Sequence, residues 1–223
     1  MQSFKTIRAR ALKRHGGEAG LKAHMVRPKS AAAIRKMSDD RWLALMTRSV
    51  FQAGFVWKII EAKWPGFEEA FDGFDPHHVA FYSGEDMGRL VSDTRIVRNG
   101  AKIKATIENA RFVTELIREH GSAGAFFAAS KPDGFVDLLD ILKKRGSRLS
   151  GASAQYFLRH AGVDGFLLSP SVVAALAHAC VVDKAPGSQK SMRAVQAAFG
   201  TWQKESGLSL TEISRTLALS IDG

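Results

Sequence analysis

The spacing of apolar residues is the feature of this sequence that most restricts its fold. Ile103, Ile107, Ala110 and Val113 recur at intervals of three and four residues, which is the period of one face of an α-helix. Similar segments follow one another along the chain, separated by glycine and proline, and we find no convincing alternation of apolar and polar residues typical of strands. We therefore predict an all-α fold with many short helices.

Glycine, proline and serine predict where these helices begin and end. Ser38 and Ser83 are candidate N-caps, and Gly121 is a candidate C-cap. A helix over residues 54–63 should stop at Trp64-Pro65-Gly66. Further helices are predicted over residues 135–145, 152–161, 191–204 and 210–220, and residues 169–182 are typical of a buried helix that contains Cys180.

Composition and glycine-rich stretches suggest three parts. Residues 1–37 are basic and irregularly patterned, and we expect them to pack on a helical core over residues 38–183. The segment KAPGSQKS has the composition of a linker and leads to C-terminal helices within residues 184–223.

The net charge points to a polyanionic partner. Lysine and arginine total 32 against 22 acidic residues, which gives a formal charge of +10. Nucleic acid is the commonest polyanion bound by so basic a chain, although a merely soluble basic protein has the same composition.

A single cysteine excludes an internal disulfide and a zinc site built on several thiolates. With no apolar run long enough to span a bilayer and no secretory signal, we expect a cytoplasmic protein with no membrane contact.

A basic hairpin between two helices is predicted over residues 140–162. Its turn is crowded with cations, and small residues open the following helix, where free backbone N–H groups bind phosphate well. The predicted DNA-backbone contacts here are Lys143, Lys144, Arg145, Arg148, Gly151 and Ser153. A second basic cluster includes Arg98 and Lys102, and it fits either another phosphate track or the solvent face of its helix.

The apolar stretch VFQAGFVW (50–57) places a glycine and an amide among aromatic residues. It fits a pocket wall as well as an ordinary core turn. Four stretches carry a resemblance to a known family: FQAGFVW (51–57), FDGFDPHHVA (71–80), LVSDTRIVRNGAKIKATIENAR (90–111) and LKKRGSRLSGASAQYFLRHAGV (142–163). In this order they resemble the helix-hairpin-helix DNA glycosylases of the 3-methyladenine DNA glycosylase I type.

The resemblance implies an all-α repair enzyme that flips alkylated adenine out of double-stranded DNA and hydrolyses its N-glycosidic bond. It also implies a grip on DNA through the hairpin, mainly on the phosphate backbone. The oligomeric state stays open, with a monomer as the default expectation for such an enzyme. By the same resemblance Trp57 lines the base pocket and Gln52 belongs to its motif, and we add Phe51 and Gly54 to the predicted pocket.

The chain departs from the family pattern at three places. The N-terminal part has no cysteine for the family's zinc site, so His178 and Cys180 remain without their partners and we expect no metal or other cofactor. Ser49 stands where the family has a glutamate, and the family's N-terminal tyrosines are missing. Glu18 or Asp40 is a candidate replacement for the lost carboxylate, so Glu18 and Ser49 are the candidate catalytic residues. These departures leave two alternatives open: a DNA-binding relative with reduced catalysis, and an all-α protein whose basic face binds acidic proteins.

Overall fold

Many of the helices begin at a serine N-cap. A computed structural model describes residues 1–221, and within that range seven helices start at a serine whose hydroxyl oxygen accepts a hydrogen bond from a backbone N–H of the first turn. Such a cap satisfies one of the four N–H groups that a helix N-terminus leaves without a partner. At Ser83 the cap is reciprocal, because the Asp86 carboxylate also accepts from the serine backbone. The predicted caps at Ser83 and Gly121 are confirmed.

The described residues form fifteen α-helices and two short 3-10 turns, and no strand occurs among them. The all-α prediction is confirmed. The helices are α1 Phe4–Arg14, α2 Glu18–Ala23, α3 Ala31–Arg35, α4 Asp39–Gln52, α5 Trp57–Ala62, α6 Trp64–Ala70, α7 Pro76–Val79, α8 Gly84–Ser92, α9 Gly100–His120, α10 Ala123–Ala128, α11 Phe135–Arg145, α12 Gly151–Ala161, α13 Pro170–His178, α14 Gln189–Ser206 and α15 Leu210–Leu219. The 3-10 turns are Asp72–Phe74 and Pro132–Gly134. No helix within residues 1–221 is both long and apolar enough to cross a membrane.

One compact unit contains residues 30–130 and 139–161. Its centre is α4, which packs against α9 and α12. The fully buried Trp42 of α4 stacks on Phe127 at 4.2 Å between ring centroids, and Phe157 meets the same tryptophan edge-on at 5.9 Å. Because α4 is held on several sides, its C-terminal end has a fixed position within this unit.

The second compact unit contains residues 1–29, 131–138 and the described residues from 162 onward. Its core includes Ile7 of α1, Phe199 of α14 and Ile213 of α15, all fully buried. Phe166 lies between Phe135 and Phe199, with ring centroids 4.8 and 4.7 Å away. The three-part division at residues 37 and 183 stays a prediction.

One prediction about local structure around residues 54–66 was wrong. Helix α5 begins at Trp57 rather than at residue 54, because Gly54 has φ +74°, outside the helical region. The predicted stop is confirmed, since α5 ends at Ala62, and Trp64-Pro65-Gly66 also begins α6. Proline is tolerated in the first turn of a helix, where its missing N–H would have no partner in any case.

Residues 1–37 are irregularly patterned in the sequence, yet Phe4, Ile7 and Ala11 follow a helical period and are buried along α1. One further prediction was wrong. Cys180 was expected inside a buried helix; it is exposed, with φ +56°, beyond the end of α13. A short run of small apolar residues therefore suggested more burial than the helix has.

Candidate functional site

A pocket of about 300 Å³ lies in the first unit, between the end of α4 and the first turns of α12. This volume is at the lower end of the range for small-molecule sites, which is about 300–1,000 Å³. The pocket is lined by Ser49, Gln52, Ala53, Gly54, Trp57, Ala152, Ser153 and Tyr156. The structure therefore brings together the predicted residues Ser49, Gln52, Gly54, Trp57 and Ser153.

Two aromatic rings form one side of this pocket. The rings of Trp57 and Tyr156 meet edge to face, with centroids 5.0 Å apart and planes at 85°. His160 also approaches the tryptophan edge-on, at 5.8 Å. Trp57 is 38% exposed, so part of its face is free to stack on a planar ligand.

Sequence reasoning missed Tyr156. A signal was present, because Tyr156 follows the predicted residue Ser153 by three positions in α12. Residues three apart lie on the same face of a helix. The structure places both side chains in the pocket lining.

Two polar atoms of the pocket lack partners. Ser49 Oγ and Gln52 Oε1 are buried, and within the described chain neither has a hydrogen-bond partner. Each residue is only 3% exposed. A buried polar group left unpaired costs about 1–3 kcal/mol, so a ligand that supplies a donor to these oxygens would recover that free energy. The pair therefore adds two polar atoms to a pocket that also contains aromatic side chains.

The pocket rim, defined here as Ala53 and Gly54, continues directly from α4. Ala53 has extended backbone geometry, and Gly54 has φ +74°. A Cβ added at Gly54 would meet no atom within 4 Å, so the backbone conformation rather than the available space requires glycine here. Phe51 lies behind the rim, fully buried and 4.7 Å from the ring of Phe67. It supports the pocket from the core and is not part of its lining.

Lys102 of α9 is directed at this rim. Its ammonium donates hydrogen bonds to the carbonyl oxygens of Phe51, at 3.1 Å, and Ala53, at 2.5 Å, and lies 4.4 Å from the Phe55 ring centroid. Burial lowers the pKa of Lys102, and the nearby charge of Arg148 adds to the effect. The predicted phosphate contact by Lys102 needs an exposed ammonium, whereas the residue is only 6% exposed and its ammonium is held by the chain itself.

The hairpin has a turn, residues 146–150, between the end of α11 and the start of α12. The buried side chain of Asn109 pairs with the backbone of Ser147: its Nδ2 donates to the carbonyl at 3.0 Å, and its Oδ1 accepts from the N–H at 2.8 Å. Arg148 and Gly151 both have positive φ, of 57° and 53°. This backbone is therefore fixed to α9 by a side chain 38 positions earlier in the sequence.

The cations of the hairpin have different surroundings. Lys143 and Arg148 are exposed, as is Lys144, which lies 4.0 Å from the carboxylate of Asp140. Arg145 instead donates to Glu115 at 3.0 Å and to Glu119 at 2.8 Å. Its guanidinium also lies 5.1 Å from the Phe112 ring centroid. Three of the four predicted cations thus face solvent, and the fourth is paired within the protein. Arg98, from the second basic cluster, is also exposed.

The candidate carboxylates lie outside the pocket lining. Glu18 belongs to the second unit, where it accepts two hydrogen bonds from Arg8 at 2.7 and 2.6 Å. Asp40 accepts from Arg41 at 2.6 Å near the start of α4. None of the residues found to line the pocket is acidic, so the only predicted catalytic residue in its lining is Ser49.

The residues present do not fit the zinc ion that the resemblance would bring. In residues 1–221, no three His, Cys, Asp or Glu side chains group closely enough to hold a metal ion. His178 Nδ1 lies 3.3 Å from Gln2 Nε2, and Cys180 is exposed. The prediction that the protein needs no cofactor stays a prediction.

Comparison with known proteins identifies relatives of this arrangement. Residues 33–137 match the family model for methyladenine glycosylases. The sequence is 43% identical over 60 residues to DNA-3-methyladenine glycosylase 1 of Escherichia coli K12, and 32% identical over 60 residues to DNA-3-methyladenine glycosylase of Haemophilus influenzae. Each match covers 27% of this chain and 32% of the relative, so the chain spans about a third of the length of the curated relatives it matches.

Two solved structures share the fold. One is a crystal structure of 3-methyladenine DNA glycosylase I, with a TM-score of 0.50 and 25% identity over 61% of this chain and 82% of that chain. The other is 3-methyladenine DNA glycosylase I from Staphylococcus aureus, described for its recognition of 3-methyladenine. It has a TM-score of 0.52 and 26% identity over 56% of this chain and 77% of that one. The resemblance to the methyladenine glycosylases and the predicted all-α fold are confirmed by the match of residues 33–137 to the family model and by the two structures that share the fold.

Proposed function

We propose that this protein is a DNA glycosylase that hydrolyses the N-glycosidic bond of alkylated adenine, with 3-methyladenine as its principal substrate. The observation that carries the proposal is the pocket at the end of α4. Its aromatic rings and its two unpartnered polar oxygens lie in the same compact unit as the exposed cations of the hairpin. The proposed site for a planar base and the proposed site for phosphate would thus lie in one compact unit.

The proposed reaction begins with extrusion of the base, because an enzyme cannot reach a glycosidic bond inside the stacked duplex. Trp57 would stack on the extruded ring, and the ring's positive charge would be attracted to the aromatic face. Gln52 Oε1 would accept a hydrogen bond from the exocyclic amine of the base. Ser49 Oγ, which both donates and accepts, would pair with a neighbouring ring nitrogen.

Cleavage of this substrate needs little help from an acid. The bond between C1′ of the sugar and N9 of the base breaks, and its electron pair neutralises the positive charge of the alkylated ring. Water then adds to C1′ and releases its proton to solvent. A pocket whose known lining lacks a carboxylate therefore suits a base that already carries a positive charge.

The proposal is tested by base release from methylated duplex DNA, with unmethylated DNA of the same sequence as control. We expect free 3-methyladenine from the wild type. Loss of stacking in Trp57→Ala, worth about 0.5–2 kcal/mol, should slow release by about 2- to 30-fold. Failure of the wild type to release base at stoichiometric enzyme would rule out the proposed activity.

A second candidate function is DNA binding with reduced or absent excision. The observation in its favour is Ser49, which brings no negative charge to attract a cationic base. This candidate predicts salt-dependent duplex binding with no preference for damaged DNA. A clear gain in affinity for duplex that contains an abasic-site analogue would count against it.

A further inference from the structure

Two buried polar side chains lie seven positions apart on α9. Lys102 and Asn109 are 6% and 0% exposed, and both are inside the first unit. Seven residues make about two helical turns, or roughly 10 Å along the axis, so both project from the same side of α9. A charged group and an amide in these positions need specific partners, because an unpaired buried polar group is costly.

The partners of Lys102 are Ala53 of the pocket rim and Phe51 directly behind it. The last carbonyl groups of a helix have no partner within it, and the ammonium takes up those of Phe51 and Ala53 where α4 ends. A cation is also favoured at a helix C-terminus by the helix dipole. Since Ala53 and Gly54 line the pocket, this side chain helps to hold the rim, together with the hydrogen bond from the Ala53 N–H to the Ser49 carbonyl.

The partners of Asn109 belong to the hairpin turn. Its two hydrogen bonds engage both backbone groups of Ser147, the residue that precedes the positive-φ residue Arg148. Arg145 adds a second attachment to α9 through Glu115 and Glu119. The exposed cations Lys144 and Arg148 lie on either side of this fastened segment, so their positions are set by contacts to α9.

We propose that Lys102 and Asn109 are positioning residues that fix the pocket rim and the hairpin turn at a constant separation along α9. This inference rests on the proposed function, because only an enzyme that holds DNA while a base enters the pocket needs that separation. Neither residue touches the reacting atoms. Lys102 acts through the rim on the rate of base release, whereas Asn109 acts through the hairpin on the affinity for DNA.

The test is a crossed comparison of two variants in two assays. Lys102→Met is expected to slow single-turnover release of 3-methyladenine by about 10- to 100-fold, since a displacement near 1 Å in a site has effects of this size. Its dissociation constant for undamaged duplex should stay within about twofold of the wild type, with the same salt slope. Asn109→Ala is expected to raise that dissociation constant by about tenfold and to leave the rate at saturating enzyme unchanged.

The matched control is Lys104→Met. Lys104 lies on the same helix but is exposed, 3.8 Å from Glu108, so its loss removes one charge without touching rim or hairpin. It should leave the release rate unchanged. Should Lys102→Met or Asn109→Ala fail to fold, Lys102→Gln and Asn109→Asp, which keep the side-chain size, enter the same assays with the same crossed pattern expected.

The inference is overturned if each variant lowers rate and affinity together, since that pattern reports a general loss of structure, or if neither variant has an effect. A wild type that binds duplex but releases no base would overturn the proposed function alone. The rim is then tested by binding of free 3-methyladenine, which Lys102→Met should weaken by about tenfold, while Asn109 is still tested by duplex affinity. An unchanged affinity for the free base would then reject the assignment of Lys102.

Discussion

Replacement of Ser49 by alanine should make the protein more stable and less active. The Ser49 hydroxyl is buried inside α4 without a hydrogen-bond partner, and its removal leaves no large cavity. An unpaired buried group costs about 1–3 kcal/mol. Alanine also has a better helix propensity than serine, by about half a kcal/mol. We therefore expect the free energy of unfolding to rise by at least about 1 kcal/mol, which for a chain of this size raises Tm by about 2–4 °C.

The expected loss of activity follows from the same hydroxyl. If Ser49 Oγ pairs with the bound base, its removal takes away one neutral hydrogen bond, worth about 0.5–1.5 kcal/mol. Base release at subsaturating DNA should then slow by about 2- to 10-fold. Differential scanning calorimetry and single-turnover base release, measured on one preparation, give the two quantities.

Ser153→Ala is the matched control for this change. Ser153 lies on the opposite wall of the pocket in α12, and its hydroxyl is not among the buried atoms without a partner. Ser153→Ala gains the same helix propensity as Ser49→Ala but removes no unpaired buried hydroxyl. It should therefore raise Tm by less. Equal Tm changes for the two variants would refute the reasoning, and so would a rate loss beyond about 1,000-fold, which would place Ser49 in the bond-breaking step.

Three further predictions concern the hairpin and the second aromatic ring. Lys143→Ala combined with Lys144→Ala should lower the salt slope of duplex binding by about 2, because each lost phosphate contact removes about 0.9 from it. Arg145→Ala should leave that salt slope unchanged. It should lower the free energy of unfolding, measured by calorimetry, by about 1 kcal/mol, because it removes paired charges and a ring contact. A changed salt slope would show that Arg145 does contact phosphate. Tyr156→Ala should slow base release by about 2- to 30-fold, because the ring contact with Trp57 is lost. Tyr156→Phe keeps the ring and should release base at the wild-type rate. Slower release by Tyr156→Phe would show that the hydroxyl takes part.

The sequence predicted features that depend on nearby residues. The cap at Ser83 and the end of α9 at Gly121 follow from a few residues each, and the pocket residues Gln52, Gly54 and Trp57 lie within one motif. Interactions between distant segments were not predictable in this way. No residue near Asn109 in the sequence indicates that its side chain binds the backbone of Ser147, because this pairing forms only when the hairpin packs on α9.

Lys102 illustrates the same limit in a second way. From the sequence it was one of several cations on a basic helix, and a lysine is usually exposed. Its position on the inner face of α9, opposite the free carbonyl groups at the end of α4, reverses that expectation. The sign of its charge was plain, but its partner could be identified only from the packing of two helices.

The unequal burial of the tryptophans gives the protein a built-in optical probe. Trp42 and Trp202 are fully buried and Trp64 is half-buried, stacked at 5.4 Å on Phe67, whereas Trp57 is the most exposed of the four tryptophans in the sequence. A water-soluble quencher such as iodide should therefore act mainly on the fluorescence of Trp57. A base that stacks on this ring would shield it, so occupancy of the pocket can be followed in the unlabelled protein before any bond is broken.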